Sequence, residues 1–201
     1  MTPPLTPHPA RRAHAGRFAV AVAASLGVVL LGARPAATAD PAPAPQVSVN
    51  EARGLYSVTA KFEIPQAASV ALAILSDYEQ IPRFMPDVKK SVVIERGPKR
   101  LLVEQEAVSQ FMMFSKKVHL LLEVLEDGNA IRFTDKSGKS FESYQGSWLA
   151  EPKNGGTTIT YQLTARPGFD VPEFILKRLL KRDSGEMISR LRREFAARAA
   201  R

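Results

Sequence analysis

Apolar and polar residues alternate along positions 56–64, so Tyr56, Val58, Ala60, Phe62 and Ile64 share one face, the period of a half-buried strand. Pro65 stops it. Residues 67–76, rich in alanine and leucine, read as a short helix; 77–85 read as a second short helix or turn, closed by Pro86. Six further stretches have strand character: 88–96, 100–108, 118–126, 130–135, 141–150 and 157–165. Gly97-Pro98, Asp127-Gly128-Asn129, Ser137-Gly138 and Asn154-Gly155-Gly156 punctuate them. From Pro172, which suits the first turn of a helix, the period changes to that of a helix. Leu176, Leu180, Ser184, Met187, Leu191 and Phe195 then fall on one side, with Arg178, Arg182, Ser189 and Arg193 on the other. A sheet accompanied by one long amphipathic helix buries the apolar stripe only if that helix lies across its concave face.

One stretch breaks the pattern. SQFMMFSKK, residues 109–117, stands where two strands should be joined, yet it holds no Gly, Asn, Asp or Pro. Fully burying a Phe or Met stabilises by about 1.5–3 kcal/mol, which four such side chains forgo at an exposed tip. Phe111, Met112, Met113 and Phe114 are therefore expected to face something apolar. Lys116 and Lys117 follow directly behind them.

Composition changes the picture mainly at the ends. Arg11, Arg12 and Arg17 precede an apolar run at 18–31, and Ala37-Thr38-Ala39 offers a cleavage pattern. Residues 1–39 read as a signal peptide cleaved after Ala39, giving an exported, periplasmic protein; retention as an N-terminal membrane anchor is the alternative. Residues 40–53, rich in proline and alanine, read as a linker, and 54–201 as one domain. There is no cysteine, so the domain stands on its core without disulfides or a thiolate metal site. Residues 172–201 hold nine basic and four acidic side chains, a net +5, whereas 40–171 hold fifteen basic and sixteen acidic, a net −1. A charge confined to one helix argues against a nucleic-acid binder and for a basic helical face able to touch an anionic membrane surface or partner.

DYEQIPRFMPDV at 77–88, GSW at 146–148 with GGTTITY at 155–161, and Pro172 followed by FILKRLLKRD at 174–183 resemble the START/polyketide-cyclase superfamily (SRPBCC), in particular its cyclase/dehydrase and coenzyme-Q-binding START group. The likeness covers about 54–199. It implies an α+β helix-grip fold: a curved antiparallel sheet wrapped around a long C-terminal helix, with two short helices after the first strand. It also implies an apolar cavity for a lipid, quinone, sterol or polyketide. Carriers, cyclases, hydrolases and regulators all use that fold, so the fold alone does not choose among them.

Strand alternation and the helical stripe nominate cavity residues: Gln105, Leu120, Leu122, Tyr144, Trp148, Tyr161, Leu180, Ser184, Met187 and Leu191. Tyr144, Trp148 and Tyr161 each join an apolar body to one hydrogen-bond donor, which suits a carbonyl. Ile81, Phe84 and Met85 are expected to meet Phe111–Phe114 across a mouth, where flexible methionines could repack around ligands or enter a membrane. Glu104 and Glu106 alternate with Gln105 and so belong on the solvated face. His119, the one histidine beyond the leader, lacks a ligand set for a metal and a partner to orient it as a base. Gly185, at the centre of the helix, marks either a kink or a close approach. No catalytic residue, metal or cofactor is expected. The leading reading is a non-catalytic binder of a hydrophobic small molecule, its rival a cyclase/dehydratase acting on a polyketide-like substrate, with oligomeric state left open.

Overall fold

Eight strands pair antiparallel throughout in a computed structural model, which describes residues 44–111 and 114–200. They are β1 (Gln46–Ala52), β2 (Leu55–Ile64), β3 (Val88–Arg96), β4 (Leu101–Phe111), β5 (Phe114–Asp127), β6 (Ala130–Asp135), β7 (Phe141–Lys153) and β8 (Gly156–Pro167). Their spatial order is β1-β2-β8-β7-β6-β5-β4-β3. Strands β3 to β8 form a meander of hairpins, and β2 pairs with β8. The β2–β3 connection must therefore pass from one side of the sheet to its far edge, and α1 (Ala68–Leu75), a 3₁₀ turn (Tyr78–Gln80) and α2 (Ile81–Phe84) occupy it. α3 (Glu173–Ala199) follows β8. Among the described residues no helix is long and apolar enough to cross a membrane. The leader at 1–39 lies outside the described residues.

The sheet begins earlier than the sequence suggests. Residues 46–52, expected within the linker, form β1 and pair in register with β2, from Gln46 opposite Lys61 to Ala52 opposite Leu55. The turn between them places Arg53 (φ 54°) and Gly54 (φ 77°) in the left-handed region that a two-residue hairpin needs. The cost of placing Arg53 there is offset locally. Gly54 N–H donates to Glu51 Oε1 at 2.6 Å, and Arg166 Nη1 donates to the Arg53 carbonyl at 2.9 Å.

The 109–117 puzzle resolves through strand length. β4 and β5 run on past the expected ends until Phe111 pairs with Phe114. The connection shrinks to residues 112–113, and most of the stretch is ladder, which needs no turn residue. The side chains of residues 110–114, including Phe111, Met112, Met113 and Phe114, lie outside the described residues.

α3 runs unbroken for 27 residues through Ser184 and Gly185, and Pro172 caps it one position before its first turn. Leu176, Ser184, Leu191 and Phe195 are buried on its inner side, together with Ile188, which the six-residue stripe omits. Leu180 and Met187 are half-buried, while Arg178, Arg182, Ser189 and Arg193 are exposed. The helix continues through Gly185, and a Cβ built there meets nothing within 4 Å, so no close approach requires the glycine. Arg190 pairs with Asp87, and Arg198 with Asp77 at 2.6 Å, tying α3 to both ends of the 3₁₀–α2 segment.

Candidate functional site

The Arg192 guanidinium lies 5.6 Å from the Phe62 ring centroid, so the side of β2 carrying Phe62 is the side that faces α3. Antiparallel partners project to the same side, and register therefore carries this assignment across the sheet. Ala60 stands opposite Tyr161, Tyr161 opposite Trp148, and Trp148 opposite Ile131. Farther on, Val124 opposes Phe133, while Leu122 pairs with Val103 and Leu120 with Gln105. Gln105 in turn faces Ser91 of β3. The inner face thus brings Gln105, Leu120, Leu122, Tyr144, Trp148 and Tyr161 together, as the alternation implies.

Two kinds of environment share this face. Where β2 lies beneath α3 the inner side chains are sealed, Val58 at 1% and Ala60 at 0% exposure, as is Ile159 of neighbouring β8 at 0%, while Val47 and Val49 of β1 stay half-buried. Over β4–β7 several inner side chains keep accessible surface although they point inward, namely Gln105, Val118, Tyr144 and Trp148. Ile81 and Phe84 of α2 and Leu180 and Met187 of α3 are likewise only partly buried against the same core. Apolar groups from the sheet and two helices pack against the same core there and keep part of their surface accessible. Each forgoes part of the roughly 1.5–3 kcal/mol that full burial contributes, until something apolar covers it. Leu120, Leu122 and Met85 are buried at 6%, 7% and 8% exposure, and Ser184 and Leu191 are sealed on the helix.

Polar groups on the inner face are largely satisfied by one another. Gln105 Nε2 donates to Ser91 Oγ at 3.1 Å, and Tyr78 hydroxyl donates to Glu126 Oε1 at 2.7 Å. The Tyr144 and Tyr161 phenols interact with one another. Burial pushes the Tyr144 phenol up to about 12, with a further push from the Asp135 carboxylate. Burial, then the neighbouring Tyr144, drives Tyr161 well above its ordinary value, and burial does the same to Tyr78. All three stay protonated at neutral pH. Asp135 accepts from the backbone N–H groups of Leu121 and Ser137 at 2.8 and 2.9 Å, which binds it into the β6–β7 connection.

Aromatic rings continue from this space toward one end of the sheet. Trp148 and Tyr161 lie 4.4 Å apart between centroids, Tyr144 and Phe141 4.9 Å, and Phe141 and Phe169 6.3 Å. Gly146 is required here: a Cβ would meet Phe133 Cζ at 2.5 Å and the Gln162 carbonyl at 2.4 Å. At this end a concavity of about 210 Å³ is lined by Tyr56, Arg166, Phe169, Val171 and Leu176. Lys116, just behind the β4–β5 tip, holds its ammonium 4.7 Å from the Phe169 centroid. The β4–β5 tip therefore belongs to the end where the β8–α3 connection lies, and Val108 N–H bonding to the Asp87 carbonyl brings Met85 and Phe84 nearby.

The convex face holds what alternation assigned to it. Glu104, Glu106 and His119 gather there with ligand atoms within 4.8 Å of one another. Lys90 already pairs with Glu104 and holds its carboxyl below the usual range, and Lys139 Nζ sits 3.4 Å from His119 Nε2. Ser91, Phe133, Phe141 and Phe169 belong to the site but escaped the sequence reading. Ser91 was hidden by two register shifts in β3, which break the simple period of two.

A family model described as "Polyketide cyclase / dehydrase and lipid transport" matches residues 64–192. Among solved structures, a STAR-related lipid transfer protein fragment from Xanthomonas axonopodis is 19% identical with a TM-score of 0.64, covering 79% of this chain and 97% of that one. A START superfamily protein from Mycobacterium smegmatis is 18% identical at a TM-score of 0.62, covering 70% of this chain and 97% of that one. The Zhui aromatase/cyclase from Streptomyces sp. R1128 is 12% identical at 0.61, covering 72% and 96%. At such identities the likeness is one of fold. No curated protein sequence matches the chain.

Proposed function

Since this chain belongs to the polyketide cyclase/dehydrase and lipid-transport family, we propose that it is a non-catalytic, exported binder of a hydrophobic small molecule, a lipid or a quinone. The ligand occupies the space between α3, α2 and the β4–β7 part of the sheet. The observation that carries the reading is the partial accessibility of inward-pointing Val118 and Trp148 and of Phe84, Leu180 and Met187, which pack against the same core. The tyrosines supply neutral donors, while their raised pKa values make them poor bases at neutral pH. Phe111, Met112, Met113 and Phe114, with Lys116 and Lys117, act at the mouth as a gate that opens on contact with an anionic membrane.

Native mass spectrometry of the protein purified from its own cells tests this reading. A retained apolar molecule, lost on Trp148→Ala, is the expected result. A protein that retains nothing and takes up no fluorescent lipid would overturn it, and turnover of a polyketide-like substrate would favour the cyclase reading. Export is tested separately. N-terminal sequencing should find the chain beginning at Asp40, whereas a start at Met1 or Thr2 would establish the anchor instead.

A further inference from the structure

We propose that the outer face of α3 is a docking surface for an anionic phospholipid bilayer, a role separate from ligand binding and from the hairpin tip. Phe174, Arg178, Lys181, Gly185, Ser189 and Arg193 recur at helical spacing on the side of α3 turned away from the sheet. The row from Phe174 to Arg193 spans about 29 Å at the α-helical rise. Four other cations of this helix are engaged within the protein: Lys177 with Glu173, Arg182 with Asp183, Arg190 with Asp87, and Arg198 with Asp77. Arg178, Lys181 and Arg193 have no ion pair among the described residues, so they keep their charge for a partner. Glu186, the acid on this side, is held by Arg190 at 3.5 Å and Arg182 at 3.9 Å.

The shape suits a broad, shallow partner. Small residues at 185 and 189 leave an open groove of about 510 Å³ between the cations. Phe174, 74% exposed, stands at the end of the row and offers the apolar group that enters a headgroup boundary. Pro45 forms the edge of the groove, so the chain enters the sheet beside this face, downstream of the apolar run at 18–31. Charge fixes the orientation. With +5 in residues 172–201 and −1 in 40–171, an anionic surface attracts this face and not the remainder.

The test uses the full chain and vesicles of phosphatidylcholine with or without phosphatidylglycerol; residues 1–39 carry four arginines and no acid, so the helix's share is read from variants that keep that leader. The wild type should float preferentially with the anionic vesicles, less so as salt rises. The triple variant Arg178→Gln/Lys181→Gln/Arg193→Gln should bind anionic vesicles roughly a hundredfold more weakly. Its thermal midpoint and its binding to neutral vesicles should not change. Phe174→Ser should weaken binding while leaving the salt dependence intact, and Lys116→Gln/Lys117→Gln should leave most of the binding in place. Equal binding of the wild type to both vesicles, undiminished binding by the triple variant, or loss confined to the lysine pair would each overturn the proposal. Equally tight binding to soluble polyglutamate would indicate an acidic protein partner and overturn it as well.

Discussion

The two halves of the inner face of the sheet share one backbone pattern and differ in what covers them. Along β2 the helix α3 lies close, and side chains from both surfaces are sealed, Val58, Ala60 and Phe62 on one and Ile188, Leu191 and Phe195 on the other. Over β4–β7, where α1 packs on β7 and α2 on β3, Val103 and Val124 are sealed but Gln105, Val118, Tyr144 and Trp148 stay accessible. The lesson is that alternation places a residue inward but does not decide whether it becomes core or site. That depends on what stands opposite.

The largest expected effect breaks the comparison on its sealed side. Phe195, 0% exposed, should cost about 3–5 kcal/mol when replaced by Ala, and Ile188→Ala about 2–5 kcal/mol, read from urea midpoints. A loss under about 1 kcal/mol for either would mean that the sealed half is not close-packed.

Gly146→Ala probes the boundary, because the added methyl must displace the Phe133 ring or the β8 backbone. Overpacking of this kind costs about 1–3 kcal/mol. If the Phe133 ring yields toward the proposed ligand space, ligand retention should fall in parallel, which native mass spectrometry would show. Unchanged stability together with unchanged retention would remove Phe133 from the wall.

A smaller effect lies in alkaline pH. The Tyr144 phenol has its pKa raised to about 12 in the folded protein, against an ordinary value near 10 in the unfolded chain. Between those values the unfolded chain has lost a proton that the folded one keeps, so stability falls as pH rises from 10 toward 12. The loss assignable to Tyr144 is at most about 2 kcal/mol, and Tyr144→Phe should remove that part of the slope in thermal melts. An identical slope in the variant would place the titration on Tyr161 or Tyr78.

The smallest stability change is expected at the hairpin. Phe111→Ser/Met112→Ser should alter the midpoint by no more than about 0.5 kcal/mol and slow the transfer of a fluorescent lipid from vesicles. A sharply lowered midpoint would show that these side chains are core and not a gate.

Much of this architecture is written in local periodicity. The strands at 88–96 and 130–135 and the inner rows of β2 and α3 follow from apolar spacing, because a side chain's direction is set by its own strand or helix. The opposite placement of Gln105 and of Glu104 with Glu106 follows for the same reason. The family likeness, carried by local motifs, extended that reading to the whole fold.

Other features depend on partners distant in sequence. β1 is a strand because β2 offers it a free edge and Glu51 and Arg166 hold its turn, which no window around 46–52 reveals. Ser91 reaches Gln105 only because bulges shift the register of β3. Ile188 became the sealed centre of α3 because the helix settled toward β1 and β2, and that lateral choice is invisible in a helical wheel. By itself the sequence determined which side chains point inward and where the positive charge collects, since both are local properties of the chain. Only the tertiary structure decided which inward side chains are sealed and which remain open, because covering a surface takes a second surface brought from elsewhere in the chain.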